Sequence, residues 1–200
     1  KNYVKGQLKQ AHKVAQKRLE SNTYKGKECA QQLSFLHDEL IINYINFLSK
    51  YLYPLNNPTE AEKISILATG GYGRGLLAPQ SDIDLLFLLP YKKTAWAEAA
   101  IENLLYFLWD LGLKVGQATR SISESLLLAE KDQTITTSML DARHLWGNKE
   151  LSKRFKTSYR EKLEKMSSAD FIQAKLDERE ERQYKAGQSR YLVEPNIKNG

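Results

Sequence analysis

The sequence predicts an α+β fold, a small β-sheet carrying helical additions at its amino-terminal and carboxy-terminal sides. Three observations carry this. Apolar runs at 64–68 and 85–89, the second within a strand at 82–89, and a short segment at 113–119 have the length of strands. Segments of helical periodicity surround and separate them, and Gly or Pro punctuates most junctions. An apolar share of 42% over 200 residues is enough for a real core, so the chain makes one domain or a core domain with helical extensions.

The elements follow in order. Residues 2–21 predict a helix in which Lys1, Lys5, Lys9, Lys13 and Lys17 recur every fourth residue, opposite Val4, Leu8, Ala11, Ala15 and Leu19. That is an amphipathic helix with a solvated lysine face, the rival reading being a nucleic-acid contact. Gly26 interrupts it. Glu28 to Tyr51 predicts a second helix, with Leu33, Leu36, Leu40, Tyr44, Phe47 and Tyr51 at helical spacing. His37 and Asp38 within it read as polar surface residues rather than as part of a metal-dependent hydrolase. Pro54, Asn56, Asn57 and Pro58 stop that helix and mark the entry to the core domain.

Strands at 64–68 and 82–89 come next, the second ended by Pro90. Thr94–Leu111 predicts a helix that turns Ile101, Leu104, Leu105, Leu108 and Trp109 to the sheet, with Gly112 as its left-handed stop. Leu113–Thr119 is a third strand, ending near Arg120. Ser121 and Glu124 form a capping-box pattern ahead of Leu126–Ala129. A further helix is expected over about 134–145, ending at Trp146-Gly147. Residues 149–166 and 168–186 predict two charged amphipathic helices, with Ser167 and Asp170 opening the second. Arg179, Glu180, Glu181 and Arg182 are a solvated face. The expected division is 1–58 for the amino-terminal helices, 59–147 for the core and 148–200 for a helical extension.

The net charge of +6 is unevenly placed. Residues 1–27 carry eight Lys and Arg against Glu20, whereas the rest is close to neutral, with 22 basic residues against 23 acidic ones. A single cysteine, Cys29, excludes an internal disulfide and fits a reducing, cytoplasmic setting. No apolar run approaches the roughly 20 residues of a membrane span. The chain lacks an initiator Met and ends on Asn-Ile-Lys-Asn-Gly, which suggests a piece of a longer protein.

The chemistry concentrates in residues 68–89. Gly70 and Gly71 close the first apolar run, and Asp82 and Asp84 open the second. Asp-Ile-Asp in a strand sets both carboxylates on one face, about 7 Å apart, and Ile83 on the other. Two such carboxylates suit Mg²⁺ bound to a phosphate, a hard cation that takes oxygen ligands. Paired glycines let the backbone approach a phosphate chain and offer its amides. Asp-x-Asp or Gly-Gly alone is common in strand edges and turns. Their combination across two strands is more specific. No Gly-Lys-Ser/Thr follows, so a Walker loop is excluded, and the spacing of Gly71, Gly73 and Gly75 is not a dinucleotide fingerprint.

Gly70-Gly71 followed by Ser81-Asp82-Ile83-Asp84-Leu85 resembles the signature of the polymerase-β-type nucleotidyltransferase superfamily. The fuller string Gly-Gly-Tyr-Gly-Arg-Gly, then Ser-Asp-Ile-Asp-Leu-Leu, resembles the amino-terminal domain of the bifunctional PII uridylyltransferase/uridylyl-removing enzymes. Trp109–Gly116, Leu140-Asp141-Ala142-Arg143 and Glu194–Lys198 agree with it. The resemblance implies a mixed sheet of the polymerase-β type, with Gly70 and Gly71 at the triphosphate, Ser81 helping to hold it, and Asp82 and Asp84 on two Mg²⁺ ions. It implies transfer of UMP from UTP to a tyrosine of the PII nitrogen-signalling protein, with release of pyrophosphate, when glutamine is scarce. The uridylyl-removing hydrolase and the glutamine-sensing domains lie further along such proteins, so neither activity is expected here. UTP as the substrate rests on the resemblance alone.

Arg74 and Arg120 are candidates for neutralising the triphosphate, each set against a surface or interdomain ion pair. Arg143 is expected to pair with Asp141. One departure stands out. The superfamily usually carries a third carboxylate on the strand at 113–119, and the matching position falls near Gly116 or Gln117. Glu124 reads as a cap, and Asp141 is the other acid that could reach the site. A phenol, with a pKa of about 10, is far more acidic than an alkyl hydroxyl and needs less help to ionise. Two rival readings keep the glycines and acids: a small-molecule nucleotidyltransferase, and a nucleotide-binding module without catalysis. An RNA-adding enzyme fits least, because the region lacks a basic, aromatic surface.

Overall fold

The computed structural model describes residues 2–21, 25–79, 81–165 and 168–185. Helices α1 (Asn2–Glu20) and α2 (Gly26–Phe47) come first, α2 continuing into a π-helical turn at Leu48–Leu52. Strand β1 (Ser65–Ala68) leads into the single turn α3 (Gly70–Gly73), followed by β2 (Ile83–Leu89), α4 (Ala95–Asp110) and β3 (Val115–Ser121). Then come α5 (Ile122–Lys131), α6 (Gln133–Leu140), β4 (Arg143–Gly147), α7 (Lys149–Lys165) and α8 (Ser168–Lys185).

The four strands lie in the order β3-β2-β1-β4. β1 runs antiparallel to β2 and β4, and β2 runs parallel to β3, so the sheet is mixed. A parallel neighbour requires a crossover, and α4 supplies it. Thr94 caps α4 by accepting from the Ala97 amide, and Gly112 ends it at φ +85°. Ser121 and Glu124 form the expected capping box on α5.

Strand alternation divides the core into two layers. Ile66, Ala68, Ile83, Leu85 and Phe87 face α1, α2 and α4, meeting Leu8, Leu33, Ile41, Ile45, Leu104 and Leu108. Leu67, Leu86 and Leu88 face the other way, onto Ala129 of α5, Met139 of α6, and Leu151, Phe155 and Tyr159 of α7. The amino-terminal helices therefore share one core with the sheet. Lys9, Lys13 and Lys17 are exposed, as the lysine-face reading expects, while the Lys5 ammonium donates to the carbonyl of Asp110 at 3.0 Å.

The structure corrects several expectations. The helix expected over 134–145 stops at Leu140, and 143–147 is instead the edge strand β4. Tertiary pairing decides this: β1 has a vacant side, and the alternating Arg-His-Leu-Trp-Gly segment fills it, burying Leu145. The buried stripe of α2 is Leu33, His37, Ile41 and Ile45, whereas Phe47 and Tyr51 are exposed. Trp109, in the last turn of α4, is also exposed. The expected start signal at Ser167 lies outside the described residues.

Candidate functional site

The site grows from the junction of β1 with α3. β1 is buried along its whole length, so its last residue delivers the chain to the surface at a fixed point. The Thr69 amide donates to the Asp84 carbonyl at 3.0 Å, tying the start of the turn to the start of β2. Gly70 then adopts φ +55°, a left-handed conformation that side chains rarely accept. The chain completes one helical turn, with the Gly73 amide on the Thr69 carbonyl at 2.9 Å.

Asp84 explains the glycine at position 70. A Cβ there would lie 2.7 Å from the Asp84 carboxylate oxygen Oδ2. On its other flank, Asp84 pairs in register with Gly116 of β3, and a Cβ on Gly116 would run into Oδ1. The carboxylate is thus lodged between two backbone segments that are open because both residues are glycine. Asp82 lies one residue before β2, half-buried like Asp84, while Ile83 between them is in the core.

The other expected residues are placed less uniformly. The Arg74 guanidinium lies over Gly71, whose Cβ would sit 3.6 Å from Nη2, and donates from Nη1 to Asp141 at 3.2 Å. Ser81 is exposed and opens on a cavity of about 270 Å³ that also borders His12, His37 and Lys114. Arg120 is paired with Leu88, four residues along β2 from Asp84, and its charge acts on Glu124. It does not join the site. Gly70, Asp84 and, through Gly71, Arg74 are brought together.

Two further expectations are corrected. Arg143 pairs with Asp38, not Asp141: Nη1 lies 2.7 Å from Oδ2 and Nη2 3.0 Å from Oδ1. Asp38 and His37 are not surface residues, since His37 is 2% exposed and Asp38 also accepts from the Tyr72 hydroxyl at 2.5 Å. Burial first, and then the Asp38 charge, push the Tyr72 hydroxyl well above its ordinary range, which keeps it a donor. Burial works against the charge on Arg143, and Asp38 more than offsets it. Burial pulls His37 and His12 below the usual histidine value; their rings meet edge to face at 5.4 Å.

The residues missed from the sequence are Gly116 as a partner of Asp84 and the Asp38–Arg143 pair. A glycine inside a strand marks close approach of another group, and Gly116 carried that signal. Nothing local announces a pair separated by 105 residues.

Asp82 and Asp84, both half-buried, offer oxygen-only donors, the kind a hard divalent cation takes. Among the described residues no three acids, histidines or cysteines cluster as a metal site. Among the described residues no helix is long and apolar enough to cross a membrane.

Residues 56–139 match the nucleotidyltransferase domain family, and residues 170–200 match GlnD PII-uridylyltransferase. A bifunctional uridylyltransferase/uridylyl-removing enzyme of Nitrobacter winogradskyi is 47% identical over 98% of this chain, and one from a Bradyrhizobium species is 48% identical over 98%. The chain spans 21% of the length of each relative. A crystal structure of a toxin–antitoxin with AMP-PNP aligns over 74% of this chain and 96% of its own, at 19% identity and a TM-score of 0.34, a likeness too slight to bear on function.

Proposed function

We propose that this chain, which belongs to the amino-terminal, nucleotidyltransferase part of the bifunctional uridylyltransferase/uridylyl-removing enzymes, moves UMP from UTP to a tyrosine of a PII signalling protein. The observation that supports this reading best is the Asp84 carboxylate seated against Gly70, which sets an acid beside a turn able to carry phosphates. The acceptor and the base come from the likeness to the uridylyltransferases.

In the proposed reaction the tyrosine oxygen attacks the α-phosphorus in line. The bond from that phosphorus to the bridging oxygen breaks, pyrophosphate leaves, and the phenolic proton passes to solvent. Asp82 and Asp84 would hold magnesium, two ions by analogy with the superfamily. When bound, magnesium neutralises the phosphate charge and eases ionisation of the attacking hydroxyl. Gly70 and Gly71 support the phosphate chain with backbone rather than side chain. Arg74, tethered to Asp141, is within the same turn and supplies positive charge to the triphosphate when it turns inward. Ser81 adds a hydroxyl on the approach to Asp82. Positioning and charge neutralisation then account for most of the rate.

Gly116 stands where a third acid would otherwise be expected, and a side chain there would displace Asp84. This favours a phenolic acceptor, since a group with a pKa of about 10 needs less base. It also favours a second reading, a nucleotide-binding module without chemistry. Mixing the full-length protein with PII, magnesium and each of the four nucleoside triphosphates, read by intact mass, separates the two. One uridylyl group on PII, with pyrophosphate released, is the expected result. Asp82→Asn or Asp84→Asn should lose more than the roughly 10–100-fold that removal of an outer-shell partner costs. Binding of nucleotide without pyrophosphate release would favour the second reading, and transfer undiminished in Asp84→Asn would overturn the role given to the acid pair.

A further inference from the structure

The Asp38–Arg143 pair takes no part in the chemistry just described, yet its guanidinium reaches directly into the glycine turn. Arg143 Nε donates to the Gly73 carbonyl at 3.2 Å and Nη2 to the Tyr72 carbonyl at 3.4 Å, while Nη2 also approaches the Ser34 hydroxyl at 3.4 Å. The same group lies over the Tyr72 ring, 5.5 Å from its centroid, and grips both oxygens of Asp38. The Tyr72 ring is fully buried, and its hydroxyl closes the circuit on Asp38. From below, the Asp141 backbone carbonyl fills the space that a Cβ on Gly73 would need.

A helix of one turn leaves carbonyls without helical partners. Here a planar guanidinium meets that of Gly73, adds to the Gly75 amide on that of Tyr72, and anchors the assembly to α2 through a bidentate ion pair. The pair is mostly shielded, with side-chain exposures of 32% for Arg143 and 16% for Asp38. Arg143 opens β4 and pairs in register with Ala68, the last residue of β1 before the turn. Three elements distant in sequence thus converge on the carbonyl end of the turn, opposite the end that begins at Gly70 and Asp84.

We propose that Arg143 and Asp38 are positioning residues that fix the glycine turn so that its backbone is set for a nucleotide's phosphates; neither touches substrate. The inference rests on the nucleotide site assigned above. Its alternative is a pair that serves general stability alone.

Arg143→Lys in the full-length protein separates these. A lysine keeps the charge beside Asp38 but cannot reach the carboxylate and both carbonyls at once. Hydrogen exchange of the peptide covering 69–75 should accelerate about tenfold, with the α4 peptide unchanged, because the loosening is local. With magnesium present, KM for UTP should rise about tenfold while KM for the acceptor stays, the mark of a lost nucleotide-positioning contact. Leu104→Ala, a cavity in the buried face of α4, is the comparison for plain destabilisation and should leave KM for UTP unchanged. Should Arg143→Lys not fold, Tyr72→Phe removes only the hydroxyl on Asp38 and should shift exchange at 69–75 in the same direction. Unchanged exchange at 69–75, acceleration spread equally over α4, or an equal rise of KM in Leu104→Ala would each overturn the proposal. If the parent protein transfers no nucleotide, the assigned activity fails, while the exchange pattern still decides whether the pair holds the turn.

Discussion

At Gly116 the lack of a side chain leaves room for the Asp84 carboxylate, one of the two acids proposed to hold magnesium. A methyl there would collide with Asp84 Oδ1, so the carboxylate would have to shift. Gly116→Ala should therefore lower transfer by about a hundredfold, the cost of displacing a reacting constellation by about 1 Å. The check is the ratio of kcat/KM in parent and variant beside a melting curve that shows the fold retained; unchanged kcat/KM would remove the constraint argued for Asp84. His37 carries a different expectation. Its folded pKa is lowered by burial first, opposed in part by its bond to the Leu33 carbonyl. Burial also lowers His12 and His144. The unfolded chain then binds more protons just below pH 6.5, so this contribution is whole above that value and is lost as the pH falls towards the folded pKa. The carboxylates held low, Glu62, Glu124 and Asp132, act only below about 4.5. The melting temperature should fall between pH 7 and 5, and His37→Gln, neutral throughout, should flatten that fall; an identical slope in the variant would assign the effect elsewhere. The closeness of Gly70 to Asp84 was legible in the sequence, because the glycine turn and the acid stand at the ends of successive strands. Asp38 was not, because its partners Tyr72 and Arg143 lie 34 and 105 residues away.

Elements were legible where local signals and tertiary demand agree. Thr94, Gly112 and the Ser121–Glu124 box sit at the ends of real helices for the reasons their chemistry gives. β4 went unseen because a segment that could continue a helix is taken up by the open edge of β1, a force with no local signature. Gly147 closes that strand at φ +92°, and a Cβ on it would collide with the Ile64 carbonyl. Gly147→Ala should destabilise by about 1–3 kcal/mol through backbone strain, measured by urea unfolding, and a loss well below that would mean the β4 end relaxes freely. Because β4 begins with Arg143, the same edge strand that completes the sheet also delivers the cation that meets the glycine turn. The missed strand and the missed ion pair are one omission seen at two scales.

As a whole the molecule is a mixed sheet between two helical layers, with its glycine turn and acid pair at one end of the central strands β1 and β2. Most of the basic excess sits on α1, whose exposed lysines lie on the surface of the first layer. The chain spans about a fifth of the length of its bifunctional relatives. In the proposed function this part holds a nucleotide and a divalent ion between Gly70–Gly71 and Asp82–Asp84. The direct measurement is a crystal structure with magnesium and a non-hydrolysable UTP analogue. The account predicts the ion on the Asp82 and Asp84 carboxylates and the phosphates along the backbone of residues 70 and 71. Phosphates seated elsewhere, with both carboxylates turned from the ion, would contradict it.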